Sequence, residues 1–170
     1  MNFKIEQIAL CPKDPKAAIA LLTALGAAFT AVDHVVASGE VFGVKGTNEA
    51  DLAFDYSLTP DGPSTGNPLE TEVLSYTKGP NWMDLRPNAD PHRVSHLGMH
   101  VTAEELVRYK AFFKERSIGI AQEVMTESHT NPVIADTRRY NYVIFNTHDI
   151  LGVDLKFIVR YNPDGTAYDK

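Results

Sequence analysis

The chain has 170 residues, a formal net charge of −6 and a hydrophobic fraction of 44%. This length can enclose a sizeable core, and the acidic balance argues against non-specific binding to nucleic acid. A single cysteine, Cys11, excludes an intrachain disulfide, and no apolar run approaches the ~20 residues that span a bilayer. We therefore expect a cytoplasmic protein that acts on neither nucleic acid nor membrane.

The first half of the chain predicts a strand, a helix and three further strands. FKIEQIAL alternates as a strand does. DPKAAIALLTALG has the start and stop signals of a helix, because Asp14 can cap it and Gly26 suits its end. Three strand candidates follow, namely FTAVDHVVAS, EADLAFDYSL and ETEVLSY.

The second half repeats this order. RVSHLGMHV predicts a strand, and TAEELVRYKAFFKERSIG predicts a helix with a capping box between Thr102 and Glu105. Three strand candidates follow again, namely IAQEVMTE, YNYVIFNT and GVDLKFIVR.

The repeat predicts two tandem βαβββ modules. Gln7 and His96 hold matching positions in the two first strands, and Glu72 and Lys156 hold matching positions in the two last strands. The predicted segments are residues 1–78 for the first module, 79–93 for a connector, 94–160 for the second module and 161–170 for a polar tail.

The stretch VSHLGMHV places His96, Gly98 and His100 on one face of its strand. A buried strand seldom carries two imidazoles unless they bind a ligand or another side chain. His96 is therefore either a ligand or acid–base group, or a core histidine bonded to Glu72 or a backbone carbonyl. His100 is either part of a pocket wall or structural.

This doubled unit resembles the vicinal oxygen chelate superfamily, which includes glyoxalase I, extradiol dioxygenases, epimerases and bleomycin-resistance proteins. The segments IEQIALCPKDP, VSHLGMHVTAEEL and LGVDLKFI carry the resemblance. It implies an α+β, glyoxalase-like fold in which two βαβββ modules form curled mixed sheets around a cavity. It also implies a homodimer.

In many enzymes of that superfamily, the first and last strands of each module hold a divalent metal. Glu70 shares a strand face with Glu72 and is the register alternative. Lys156 stands at the fourth of these ligand positions, and its ammonium group cannot coordinate a metal and repels it. The resemblance therefore implies either one divalent metal (Ni, Mn, Zn or Fe) or none. Asp154 could replace Lys156 only after a shift along the strand. The matching positions are Gln7, Glu72, His96 and Lys156.

The catalytic candidates are Glu72, His96 and Lys156. A buried pair between Glu72 and Lys156 is either a structural ion pair or a catalytic pair in which the lysine transfers a proton.

Four residues are candidates for substrate binding. Trp82 is either a hydrophobic plug or a lid that stacks on a planar substrate. Arg139 either clamps a carboxylate or phosphate, or ends in solvent. Four other histidines are expected on the surface or in loops, namely His34, His92, His129 and His148. The full substrate-binding set is His100, Trp82, Tyr142 and Arg139.

The leading function is a small-molecule enzyme with isomerase or lyase chemistry on an oxygen-rich substrate, assisted by a metal if one binds. The alternative is a metal-free protein that binds or sequesters a small molecule, and Lys156 favours it. A structural protein with a filled cavity is the third possibility.

Overall fold

A computed structural model describes residues 3–29, 32–55, 69–86 and 94–168. His92 and part of the connector lie outside this range, and no described helix is long and apolar enough to cross a membrane. The strands are β1 (Gln7–Leu10), β2 (Asp33–Val41), β3 (Val44–Asp55), β4 (Glu70–Lys78), β5 (Val94–His100), β6 (Ile120–His129), β7 (Arg139–Phe145) and β8 (Asp154–Tyr161). The helices are α1 (Pro15–Ala24), α2 (Trp82–Leu85), α3 (Ala103–Glu115), α4 (Pro132–Ala135) and α5 (His148–Leu151).

The eight strands form one closed barrel in the order β1-β4-β3-β2-β6-β7-β8-β5. In each module the first strand pairs in parallel with the last, β1 with β4 and β5 with β8. The α+β fold of two βαβββ units predicted from the sequence is therefore confirmed.

The two first strands occupy equivalent places. β1 and β5 pair antiparallel, with Gln7 opposite Gly98 and Ala9 opposite His96. Adding the offset of 89 converts Gln7 to His96 (96 − 7 = 89) and Ala9 to Gly98, so it exchanges the two pairs. A local twofold axis between β1 and β5 requires this exchange. The polar residues of both first strands thus meet inside the barrel.

The β2–β3 hairpin is longer than the sequence pattern predicts. β3 begins at Val44 rather than Glu49, because Phe42 (φ 45°) and Gly43 (φ 77°) turn the chain in two residues. Positive φ at both central positions gives the twist that matches adjacent strands. Phe42 is an unusual residue in such a turn, which explains why composition did not reveal it.

The main hydrophobic core lies between α3 and the second module's side of the barrel. Leu106, Tyr109 and Phe113 of α3 are buried, and the Phe113 ring stacks on Phe145 with centroids 4.2 Å apart. Phe157 is fully buried in the same cluster. This packing fixes β7 and β8, the strands that carry Tyr142 and Lys156.

Candidate functional site

Strand alternation places a buried polar cluster inside the barrel. These side chains come from the first and last strands of both modules, as the repeat predicts. Each is at most 6% exposed, so every unpaired polar atom among them costs free energy. The cluster comprises Gln7, Glu70, Glu72, His96 and Lys156.

His96 is the centre of a hydrogen-bond chain. Its Nε2 lies 3.0 Å from Gln7 Oε1 and 3.1 Å from Glu72 Oε2, while Ser95 Oγ lies 2.8 Å from Nδ1. Gln7 Nε2 in turn donates to Glu70 Oε1 at 2.5 Å. Both neighbours of Nε2 are acceptors, so Nε2 carries the proton and Nδ1 accepts from the serine hydroxyl.

Burial lowers the pKa of His96 to about 4, and the nearby Lys156 ammonium adds to this effect. Glu72 acts in the opposite direction but does not reverse the shift. The imidazole is therefore neutral near pH 7. Of the two sequence interpretations, the bond to Glu72 is present.

Lys156 points into the same interior as Glu72 and His96, as the alternation of GVDLKFIV predicts. Its Nζ donates to Glu72 Oε2 at 3.4 Å and lies 4.4 Å from the centroid of the Tyr142 ring. Burial opposes ionisation of Glu72, but Lys156 and His96 outweigh it and hold the pKa of this carboxyl at about 2. The interior therefore contains a carboxylate paired with a cation.

Glu70 faces the interior as well, so both register alternatives are inside the barrel. Burial raises the pKa of Glu70 to about 7, although the Gln7 bond opposes this shift. Glu70 Oε2 and Glu72 Oε1 are buried without a hydrogen-bond partner. Two carboxyl oxygens in one barrel are therefore available to a ligand or to water.

Gly98 makes this arrangement possible. A Cβ at that position would lie 2.7 Å from Gln7 Oε1 and 3.0 Å from Gln7 Cβ. The glycine between the two histidines thus gives Gln7 room to reach both His96 and Glu70.

Two small cavities lie on either side of Lys156 and Tyr142. The first, here named the Trp82 cavity, has mostly apolar walls and includes Trp82, Glu72 and His96. The second, here named the His129 cavity, includes Glu70 and His129 among its lining residues. Each has a volume of about 30 Å³, which is room for about two water molecules.

Trp82 forms a buried wall of the Trp82 cavity. Its indole is 1% exposed, and its Nε1 donates to Asp154 Oδ2 at 3.0 Å. The ring also meets Tyr76 edge-on at 5.6 Å. It can therefore contact a ligand in the Trp82 cavity, and a lid movement would require this buried, hydrogen-bonded side chain to leave its site.

Asp154 cannot serve as a substitute metal ligand. Its carboxylate accepts from Arg86 at 2.6 Å, from Trp82, and from the amides of Thr147 and His148 at 3.1 Å each. Coordination of a metal would break these bonds. Asp154 therefore has a structural role.

The other substrate-binding candidates lie in different places. His100 lines the His129 cavity and its Nδ1 lies 3.2 Å from Glu6 Oε2. Tyr142 lines both cavities. Arg139 lies outside both cavities, because its side chain is exposed and donates to the Pro163 carbonyl at 3.1 Å. The structure therefore places Arg139 apart from the other substrate-binding candidates, in contact with the C-terminal tail.

His129 is the residue that the sequence placed incorrectly. Its side chain is only 3% exposed, and its Nδ1 lies 2.8 Å from Asp33 Oδ2. Its Nε2 is buried without a hydrogen-bond partner. The run ESHTNP was unusual in composition, and that was the only available signal.

The residues present do not fit the divalent metal that the superfamily resemblance implies. No group of three His, Cys, Asp or Glu side chains within the described part of the chain is arranged to hold a metal ion. Gln7, Glu72 and His96 do converge, but the Lys156 ammonium takes the fourth place, 3.4 Å from the only strongly anionic ligand. A second cation there would be repelled.

Comparison with known proteins adds little. No protein family model matches the sequence, and no curated protein matches it significantly. Among solved structures, methylmalonyl-CoA epimerase from Mycobacterium tuberculosis aligns over 91% of this chain and 85% of its own, at 11% identity and a TM-score of 0.45. A likeness this weak carries nothing about activity from that enzyme to this chain.

Proposed function

We propose that this chain is an isomerase or lyase that transfers a proton on a small oxygen-rich substrate without a metal. The observation that supports this most is Lys156, a buried ammonium at the position where the family resemblance expects a metal ligand. An ammonium can stabilise a developing oxyanion, which is the role that a Lewis-acid metal has elsewhere. In this proposal the fixed cation is a side chain.

Lys156 and Glu70 both line the His129 cavity. Glu70 transfers the proton, and Lys156 stabilises the negative charge that forms on the substrate oxygen. A carboxyl whose pKa is about 7 exchanges protons readily at neutral pH. Glu70 as carboxylate removes the proton from the carbon next to a carbonyl, and the bonding electrons move towards the carbonyl oxygen. Lys156 stabilises the resulting enolate, and protonated Glu70 then returns a proton to carbon.

Glu72 and His96 position the lysine. The carboxylate of Glu72 holds the ammonium, and His96 and Gln7 hold Glu72 and Glu70 in turn. Glu72 Oε1 has no hydrogen-bond partner, and Glu72 lines the Trp82 cavity, so a substrate hydroxyl that reaches past Lys156 can donate a hydrogen bond to it. A hydroxyl beside a carbonyl therefore matches both the acceptor and the donor.

The size of the cavities restricts the substrate. Sites for drug-sized ligands usually measure about 300–1,000 Å³. Cavities of about 30 Å³ on each side of Lys156 favour a substrate with few heavy atoms. Lysine has a flexible four-carbon stem, so a bound substrate can displace water and shift this side chain.

The test is exchange of substrate hydrogen with solvent. The protein is incubated with EDTA in D₂O with glyceraldehyde, lactaldehyde or hydroxyacetone, and deuterium incorporation next to the carbonyl is followed by NMR. We expect exchange by the native chain, reduced by roughly 100-fold or more in Lys156→Gln and, for at least one enantiomer of lactaldehyde, in Glu70→Gln. Lys110→Gln is the matched control, because Lys110 pairs with Glu123 near the surface. Exchange that requires an added metal would refute the proposal.

Binding without turnover is the second candidate, and a different feature favours it. A groove of about 580 Å³ lies beside α1, with Ile19 and Val73 among its apolar residues and Lys16 on its wall. This volume suits an apolar ligand, and the groove also has two lysines and two carboxylates on its walls, namely Lys13, Lys16, Asp14 and Asp51. Titration with anilinonaphthalene sulfonate tests it: one-to-one binding that is lost in Ile19→Asp and weakened in Lys16→Glu would support it, and binding unaffected by both would exclude the groove.

A further inference from the structure

The Asp33–His129 pair, which the proposed reaction does not yet use, has the geometry of an oriented acid–base group. Asp33 is 1% exposed and comes from β2, and His129 ends the neighbouring β6. Their 2.8 Å contact leaves the second ring nitrogen of His129 free in the His129 cavity. A histidine held at one nitrogen and free at the other can take up or give a proton at a fixed point.

Asp33 is itself held rigidly. Its Oδ1 accepts from the amides of Thr130 and Asn131 at 2.9 Å each, and from the Thr130 hydroxyl at 3.3 Å. Burial opposes ionisation of Asp33, but the His129 bond and these amides outweigh it and lower the pKa of the carboxyl. An ionised Asp33 accepts from Nδ1–H, so in the neutral ring Nε2 directs its lone pair into the cavity.

Glu70 reaches the same cavity from the far side of the barrel. β4 and β6 are separated by β3 and β2, three steps around a ring of eight strands, so their inner faces lie nearly opposite each other. Glu70 Oε2 is, like His129 Nε2, buried without a partner. Two proton-transfer groups thus face one space from opposite walls, and Lys156 lies between them in the lining.

We propose that His129, positioned by Asp33, is a second proton-transfer group that works on the opposite face of the same substrate carbon as Glu70. One group takes the proton from carbon and the other delivers a proton to the other face, so configuration at that carbon inverts. This inference rests on the proposed function and narrows it to an epimerase or racemase of a small 2-hydroxy carbonyl compound.

The charged and titratable groups around His129 lie on several strands of the barrel. Asp33 lies on β2, and Tyr140 of β7 meets the His129 ring edge-on at 6.0 Å. The others face it across the cavity, from β4, β5, β7 and β8, and they are Glu70, His100, Tyr142 and Lys156.

The closing experiment separates the two groups by the enantiomer that each serves. D- and L-lactaldehyde are incubated separately in D₂O with the native chain, His129→Gln and Glu70→Gln. We expect the native chain to exchange and invert both. Each variant should lose inversion, at least 100-fold, but keep exchange with retention for one enantiomer only, and the two variants should keep opposite enantiomers.

Positioning by Asp33 has its own readout. Asp33→Asn should preserve the fold and lower both inversion and the His129-dependent exchange, with kcat falling more than KM rises. Nitrogen-resolved NMR of the His129 ring should show the proton on Nδ1 in the native chain when the ring is neutral. A neutral ring that carries its proton on Nε2 would overturn the inference without any substrate.

The outcomes also distinguish the inference from the proposed function. No exchange of either enantiomer by the native chain would refute the proposed function. Exchange by the native chain that His129→Gln leaves unchanged, or lowers equally for both enantiomers, would refute the second group alone. In the latter case, His129 and Asp33 would be a structural pair solvated by the two waters that the cavity can hold.

Discussion

The two modules place a carboxylate at equivalent points but surround it with different numbers of hydrogen-bond donors. Glu70 pairs with Gln7 across β1 and β4, and Asp154 pairs with His96 across β5 and β8, at the offset of 84 that also relates Glu72 to Lys156 (154 − 70 = 156 − 72 = 84). Both side chains are buried. Burial alone therefore does not separate a structural carboxylate from a reactive one.

The difference lies in hydrogen-bond donors. Asp154 accepts from four residues, one of which is the Arg86 guanidinium, whereas Glu70 accepts from Gln7 alone and keeps one oxygen without a partner. A saturated carboxylate stays ionised and stabilises the fold. An undersaturated one keeps its proton up to a higher pH, which suits proton transfer.

The long helices of the two modules also differ, because the helix of the second module is buried more completely than that of the first. α3 buries three residues against the barrel and has a complete capping box. α1 has its Asp14 cap, yet none of its residues is fully buried, and Leu21 and the C-cap residue Leu25 are 63% and 76% exposed. The second module is thus the better-packed unit, and the first module provides the undersaturated carboxylate.

Asp154→Asn should produce the largest loss of stability. It leaves the Arg86 charge without its partner in a site where that side chain is 10% exposed, so the free energy of unfolding should fall by roughly 3–5 kcal/mol. Urea unfolding measures this, with Glu70→Gln at the equivalent point as the matched control. Equal losses in both variants would contradict the distinction between the two carboxylates.

The helix comparison is tested by truncation. Phe113→Ala should cost about 3–5 kcal/mol because it opens a cavity beside Phe145 and Phe157. Leu21→Ala should change the free energy of unfolding by no more than about 0.5 kcal/mol, since this side chain is mostly in solvent. A large loss from Leu21→Ala would show that α1 is covered in solution.

The pKa of Glu70 gives a dependence of stability on pH. The folded pKa of about 7 lies above the ordinary value of 4.5, so the folded chain holds a proton that the unfolded chain has lost between these values. The difference in free energy of unfolding between the native chain and Glu70→Gln should therefore fall as pH rises from 4.5 to 7, by on the order of 2 kcal/mol. Urea unfolding across this range checks it, and a flat difference would contradict the raised pKa.

The smallest expected effect concerns metal affinity. Lys156→Glu removes the interior cation and supplies a carboxylate as the fourth ligand, so Ni²⁺ or Mn²⁺ should bind at least tenfold more tightly than to the native chain, about 1.4 kcal/mol. Lys156→Gln removes the charge without adding a carboxylate and separates the two causes. Calorimetry on the three proteins decides, and tight metal binding by the native chain itself would show that the lysine does not exclude a metal.

The sequence predicted the repeat, and with it the meeting of Glu72, His96 and Lys156, because strand alternation and a constant offset determine which side chains face inwards. It could not distinguish Glu70, whose pKa is raised, from Glu72, whose pKa is lowered. That distinction depends on donors such as Lys156, which is 84 residues from Glu72 in the chain.

His129 was placed wrongly for a more local reason. The β2–β6 pairing shifts by one residue between Val36 and Ala37, so Ala37 faces Thr126 whereas Val36 faces Ser128. The extra residue reverses the alternation and turns His129 inwards with Thr126, although their numbers differ by three. A β-bulge leaves little trace in the composition of a strand, and alternation alone predicts the wrong face.

Closure of the barrel has a consequence for the separated halves of the chain. β1 pairs with both β4 and β5, and β2 pairs with both β3 and β6, so each of these strands has one neighbour in its own module and one in the other. A fragment ending at Arg86 would expose both outer edges of its four-stranded sheet, and unpaired edges recruit further strands. Such a fragment should aggregate when made alone and be rescued by the complementary fragment that begins at Val94. The intact chain avoids this hazard because each module protects the edges of the other.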